Sequence, residues 1–561
     1  MIWHQTYLLF GRGLGFSVLL AALPIVTLLV LLGVFRRPAW LAGLCGLGVT
    51  FLLATLAYKM PAPTAISAAG LGVAFGLLPI TWLIFWAIAL FRITVETGQF
   101  EIIKNSIGRL TPDPRLQALL IAFAFGAFLE GAAGFGTPVA IAASMLIGLG
   151  FSPFSASAIC LLANTAPVAF GSIGIPIVTL AGITGLPLNK LSGDIGAICT
   201  PIALIIPAYL ILAVGGFSAT EGIWLPLIAA GSVFAAVQLF VSMYIGPQLT
   251  DILAAIAAIA ALILVLRIRR APAANTTHAA TMLKRFAHMG AMPGDAIQEE
   301  LSIEERAIPS YTFSKVLYAW MPYAFLVACV IFWGSKTLQH FLDPTTIALH
   351  WPMLHDVVYR VPPIVTAPAP YHAIYTLNLL ATAGTACMFA TILSALWLRA
   401  SPALLLKVLK AVIRQLAIPT ATVSAVLAIA FLMNYCGATA TLGLAFAASG
   451  RLFPFFSALL GWMGVFLTGS DTSANALFGN LQVVTAQHLG FSPILMAAAN
   501  SSGGVMGKMI SLQTIAIAAA ATGLNSAEQV KLFRFTLKHS ILLAVAIGCI
   551  TMCYAYVLHL S

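Results

Sequence analysis

Apolar residues in this chain come in unbroken runs of about 20, recurring from near residue 14 to near residue 558. Runs of that length can cross a hydrocarbon core as helices, and their continuity excludes the every-second-residue pattern of a membrane β-barrel. In the first half they lie at about 14–34, 40–58, 64–91, 116–129, 139–163, 166–188, 195–216, 223–245 and 248–266. In the second half they lie at about 314–335, 373–398, 416–434, 436–449, 453–467, 474–488, 494–506, 511–523 and 539–558, several too short to span alone. The pattern predicts an all-α, polytopic membrane protein with roughly 12 to 14 transmembrane helices.

One long polar stretch interrupts the pattern. It carries Arg267, Arg269, Arg270, Lys284 and Arg285, then Glu299, Glu300, Glu304 and Glu305. It divides the chain into an N-terminal transmembrane half (1–266), a hydrophilic linker (267–312) and a C-terminal transmembrane half (313–561). Lys and Arg collect in cytoplasmic loops, so the start of the linker, Arg92 to Arg115 and Arg399 to Arg414 are expected inside. Lys336 to His372, with two basic residues and many prolines, is expected outside. The first apolar run lacks a small-residue cleavage site after it and reads as a retained helix.

Composition sharpens this reading. With 61% hydrophobic and 8% charged residues, and a mean hydropathy of +1.02, a soluble enzyme is excluded. The net charge of +11 reports topology rather than a nucleic-acid partner, and the bilayer is the expected environment. All eight cysteines lie in or beside apolar stretches, which argues against a disulfide framework or thiolate metal cluster.

The two halves share a repeat. Phe128-Leu129-Glu130-Gly131 answers Phe466-Leu467-Thr468-Gly469, and Gly150-Phe151-Ser152-Pro153 recurs as Gly490-Phe491-Ser492-Pro493. Ala163-Asn164 recurs as Ala499-Asn500, and seven residues beyond each Asn stands a glycine, Gly171 or Gly507. Each copy also holds residues that do not build a plain spanning helix: Gly131, Gly134, Gly136, Thr137 and Pro138 in the first, Ser470, Thr472, Ser473 and Asn475 in the second. Such interruptions predict re-entrant hairpins or broken helices, which are tolerated at membrane depth only around a protein-lined cavity. At matching places in two halves they point to a transporter's substrate site.

The deep charges fall in the same segments. Most acidic residues map to loops, linkers or segment ends, which leaves Glu130 and Asp471 inside the motifs, with Lys508 as the basic residue in the corresponding position. Intramembrane ionisable residues are expensive enough that function is the first hypothesis. Glu130 and Asp471 are candidate proton carriers, and Lys508 is a candidate partner for an anionic substrate. Plainer readings stand beside these: Lys508 snorkels or neutralises Asp471, Asp471 caps a half-helix, Glu130 belongs to a structural ion pair. Asn164 with Thr165, and Asn500 with Ser501, suit either a small hydroxylated ligand or their own backbone. No Walker element appears, since Lys508 lacks a following hydroxyl, so the driving energy is expected from a gradient. No cofactor is expected, no nucleophile-base pair suggests an enzyme, and nothing in the sequence sets an oligomeric state.

The segments Phe125 to Ile141, Asn164 to Gly171 and Gly461 to Phe478 resemble those of the bacterial L-lactate permease family, which also includes glycolate permeases. The likeness extends to Tyr58 to Pro61, Thr97 to Ile103, Thr111 to Gln117 and Gly507 to Ser511, and covers nearly the whole chain. The resemblance implies proton symport of a short 2-hydroxymonocarboxylate, such as L-lactate, D-lactate or glycolate, across a bacterial inner membrane. It further implies inverted repeats, each with a re-entrant hairpin, that often move as an elevator. From the residues alone, a sodium-coupled carboxylate carrier and a passive anion channel remain open.

Overall fold

The structure is a computed structural model that describes residues 2–35, 37–108, 110–134, 137–268 and 311–558. Most of the expected hydrophilic linker, together with Gly136, therefore lies outside the described residues. Among those described, 12 helices are long and apolar enough to cross a membrane, or up to 13 if the bent pair Pro153–Ala163 and Val168–Thr184 forms one span. The apolar runs thus become helices as their length requires.

Long helices connect two faces. On one face, Arg92 Nε donates to Gln415 Oε1 at 2.8 Å and Lys407 Nζ donates to Glu96 Oε2 at 2.7 Å, so two of the expected cytoplasmic segments meet. The other face carries short strands. Trp3–His4 pairs in parallel with Val358–Arg360, which pairs antiparallel with Ala369–Pro370, and Ile347–His350 pairs with Ile374–Leu377. The Pro402–Cys436 helix runs from Lys407 to Tyr435, whose hydroxyl donates to the His372 carbonyl at 3.0 Å. The strands and the basic clasp therefore sit at opposite ends of one 35-residue helix.

The repeated tetrapeptide Gly-Phe-Ser-Pro is a helix stop and restart. Gly150 and Gly490 adopt φ +95° and +75°, a region that favours glycine. Phe151 N–H then reaches back to the Leu146 carbonyl and Phe491 N–H to that of Ala486, closing the preceding helix in the same six-residue manner. Ser152 and Ser492 cap the next helix by accepting from Ser155 N and Leu495 N, and the proline takes the first helical position. Hydropathy hid the first of these turns. The run read as 139–163 is two helices, Thr137–Gly148 and Pro153–Ala163, because Leu149 and Phe151 keep the local average apolar.

The two turns pack far apart on one helix. Phe154, beside the first, meets Phe535 at 6.0 Å between ring centroids, whereas Phe491 of the second meets Tyr556 at 5.8 Å. Phe535 and Tyr556 lie on the continuous Ser526–Leu558 span, about 30 Å apart at 1.5 Å per residue.

At the centre stands Pro114–Ala132, whose whole apolar window is buried inside the protein. Its start is fixed by Asp113, which accepts from Arg115 N and pairs with the Arg115 guanidinium at 2.7 Å. The same guanidinium donates to the Ala219 and Glu221 carbonyls. Tight packing of Phe453–Thr468 on Pro493–Lys508 depends on small residues: a Cβ on Gly461 would run into the Asn500 backbone, and one on Gly503 into that of Ala458.

Candidate functional site

The interrupted segments of the two copies meet. Lys508, the last residue of Pro493–Lys508, donates from Nζ to Glu130 Oε1 at 2.6 Å. Glu130 is 2% exposed and lies in the last turn of the central helix, where the helix dipole opposes a negative charge. Its charge is therefore compensated by the ammonium, while Lys508 sits where the dipole of its own helix favours a cation.

Glycines shape the space around this pair. A Cβ on Gly171 would lie 2.7 Å from Glu130 Oε1, so a larger residue there would displace the carboxylate from its present position. The following residues Ser172, Ile173 and Gly174 have φ of 49°, 59° and 74°. A left-handed conformation at β-branched Ile173 is strained, and strain of this kind collects at functional segments. In the second copy the matching Gly507 packs against the backbone of Trp462 and Phe466. Each repeated glycine thus lets its segment press on the first helix of its own copy.

Asp471 opens Asp471–Leu489, where Ser470 is the cap and accepts from Ser473 N. A carboxylate suits this end of a helix. Asp471 Oδ2 accepts from Ser501 Oγ at 2.6 Å and from Asn475 Nδ2 at 3.2 Å. The Asn475 amide also faces the Pro176 carbonyl at 3.2 Å, a second bond between the copies. Asn475 Oδ1 accepts from Asn500 Nδ2 at 2.9 Å, and Asn500 Oδ1 accepts from Gln482 Nε2 at 3.0 Å. A polar chain thus runs from Gln482 to Asp471 through the protein interior.

Several polar atoms here are buried without a hydrogen-bond partner: Glu130 Oε2, Asp471 Oδ1, Ser502 Oγ and both carboxylate oxygens of Asp251. Buried polar groups are nearly always satisfied, so a cluster of such atoms is suited to binding protons or a small polar solute. A cavity of about 230 Å³, lined by Arg92, Glu96 and Gln415 at the basic face, reaches Ala133, just past Glu130.

Not every expected residue joins. Asn164 closes the Pro153–Ala163 helix, and Thr165 Oγ1 donates to the Leu162 carbonyl at 2.6 Å, a backbone role. The repeat pairs Asn164 with Asn500, yet Asn500 lies inside a continuous helix, because Pro167 stands where the second copy has Gly503. Gly131 packs on Asp251 and Gly134 on Ser172. Thr137 opens the Thr137–Gly148 helix, and Thr472 is partly exposed beside Asp471. Asp251 stands at a segment end, in the first turn of Thr250–Ile268, yet it is 1% exposed. It opens an apolar run, where aspartate usually caps; its signal was the Gly246-Pro247 interruption just before it.

Membrane-spanning helices interrupted around a buried, two-copy cluster of ionisable and amide side chains define a polytopic membrane protein of the transporter class. The L-lactate permease family model matches residues 17–558. The L-lactate permease of Bacillus subtilis (strain 168) is 43% identical, with 98% of each chain covered. The glycolate permease GlcA of Escherichia coli (strain K12) is 42% identical over 99% of this chain and 98% of its own. The L-lactate permease of Salmonella typhimurium is 40% identical over 99% of both. The chain belongs to the L-lactate permease family. Among solved structures, Neisseria gonorrhoeae MtrF, of a class of antimetabolite efflux pumps, aligns with a TM-score of 0.46 and 13% identity, covering 88% of this chain and 83% of that one.

Proposed function

We propose that this protein imports L-lactate and related short 2-hydroxymonocarboxylates, D-lactate and glycolate among them, by proton symport across a bacterial inner membrane. The observation that carries this reading is the buried contact of the two copies, with Glu130 held by Lys508 and Asp471 by Ser501 and Asn475. Relatives of about 40% identity named as lactate and glycolate permeases supply the substrate class. One methyl group separates lactate from glycolate and is worth only about 1–3 kcal/mol in a pocket, so one site can serve both.

In the mechanism, the substrate carboxylate competes for the Lys508 ammonium and for the donors near Asp471. Glu130 or Asp471 takes up a proton as the anion binds, so one monoanion and one proton cross together without net charge. The cavity beside Ala133 is the exit toward the basic face. The halves 1–266 and 313–561 act as inverted repeats, a relation supported by the placement of the two Gly-Phe-Ser-Pro turns some 30 Å apart along one helix.

The test is uptake of labelled lactate into proteoliposomes under an imposed pH gradient, with and without sodium. Glu130→Gln and Asp471→Asn are each expected to lose accumulation while the parent needs no sodium. If both variants still accumulate lactate in response to the pH gradient, the reading is wrong. Strict dependence on sodium at fixed pH selects a sodium-coupled carrier instead, and equilibration without accumulation selects a channel.

A further inference from the structure

We infer that Asp251 is a third proton-binding carboxylate of the transport cycle, exchanging its proton with Glu130 as Lys508 moves between them. The inference rests on the symport reading above. Asp251 lies in the first turn of Thr250–Ile268, the place where aspartate ordinarily accepts backbone N–H groups, yet neither of its oxygens accepts a bond. It is not acting as a cap. Its Cβ is so close to the central helix that a Cβ on Gly131 would lie 2.8 Å away, which places it beside the residue next to Glu130.

The charged and titratable groups near enough to act electrostatically on Asp251 are Glu130 and Lys508 and, from Leu188–Gly215, Cys199. Gln238 also adjoins it, its amide donating one of its two hydrogens to the Ala166 carbonyl at 3.0 Å. Three buried carboxylates, Glu130, Asp251 and Asp471, therefore share the one cation that acts on all three among the described residues, the largely buried Lys508. Uncompensated buried charges are strongly disfavoured, so such a cluster holds protons on the carboxylates that the ammonium does not serve. Asp251, whose two carboxylate oxygens accept no hydrogen bond, gains most from carrying one. When the Asp251 O–H proton passes to the Glu130 carboxylate, the ammonium follows the negative charge to Asp251. The number of protons and the net charge of the cluster stay the same during that step.

A residue that must release a proton on each inward cycle is needed for net accumulation but not for exchange, in which the carrier returns loaded. Asp251→Asn in proteoliposomes is expected to lose pH-driven lactate accumulation by at least about tenfold. Exchange of labelled against unlabelled lactate at equal pH should stay within about twofold of the parent. Asp251→Glu should recover part of the accumulation. The inference is overturned if Asp251→Asn keeps pH-driven accumulation, or if exchange and accumulation fall together with no rescue by glutamate while the purified variant stays monodisperse. Glu130→Gln and Asp471→Asn run in parallel separate the two readings. If they lose accumulation and Asp251→Asn does not, only Asp251 is misassigned; if they too accumulate, proton symport itself fails.

Discussion

Lys508 and Glu130 are 378 residues apart in the chain and 2.6 Å apart in space, with side-chain exposures of 12% and 2%. Removing one member strands the other as a buried charge, which costs about 3–5 kcal/mol, whereas replacing both with neutral groups of similar size can be nearly neutral. Lys508→Met is therefore expected to lower the melting temperature of the purified protein clearly. Adding Glu130→Gln should restore much of it without restoring lactate uptake. Melting curves and uptake on the three proteins check this, and equal destabilisation by the double variant would contradict it.

Gly171→Ala should lower transport by displacing the Glu130 carboxylate, since its Cβ would stand 2.7 Å from Glu130 Oε1. Gly48→Ala, at a helical position with nothing within 4 Å, is the matched control and should leave uptake unchanged. Parallel initial-rate measurements distinguish a local clash from a general intolerance of alanine.

Asn475 is bonded to Asp471, Pro176, Ser501 and Asn500. Asn475→Ala leaves several buried polar groups unpaired, at about 1–3 kcal/mol each. The expected outcome is a fall in both stability and maximal uptake rate, with a second-site change at Asn500 failing to add the full effect of its own single variant. A double-mutant cycle on melting temperature and uptake reads that coupling.

Ser492→Ala removes a helix cap remote from the buried carboxylates and should cost about 1 kcal/mol. A lowered melting temperature with an unchanged KM for lactate is expected. A changed KM would mean that the turn acts on the site itself.

Much of this was legible because charge inside an apolar run is conspicuous. Glu130, Asp471 and Lys508 stand out on cost alone, and the Gly-Phe-Ser-Pro repeat carries its own stop, cap and restart chemistry. What local pattern does not hold is pairing. The sequence offered Lys508 as a partner for Asp471 or for substrate, and the fold gives it to Glu130, because the geometry of packed helices sets which deep charges meet. Asp251 was hidden for the opposite reason: at the head of an apolar run it looks like an ordinary cap, and only its missing backbone bonds reveal that it is not. Asn164 and Asn500 look equivalent by spacing, but Pro167 ends one helix where Gly503 lets the other continue.

The sheathing of Pro114–Ala132 bears on how the protein is made. The helix reaches the bilayer before most of the walls that enclose it have been synthesised, and its glutamate precedes its lysine by 378 residues. At about 5–20 residues per second that interval is roughly 20–75 s. For that time the acidic end of the helix must rest against the insertion machinery, a neighbouring early helix or a proton, and only the last-made tenth of the chain relieves it. Biogenesis of this protein therefore ends, rather than begins, with the completion of its centre.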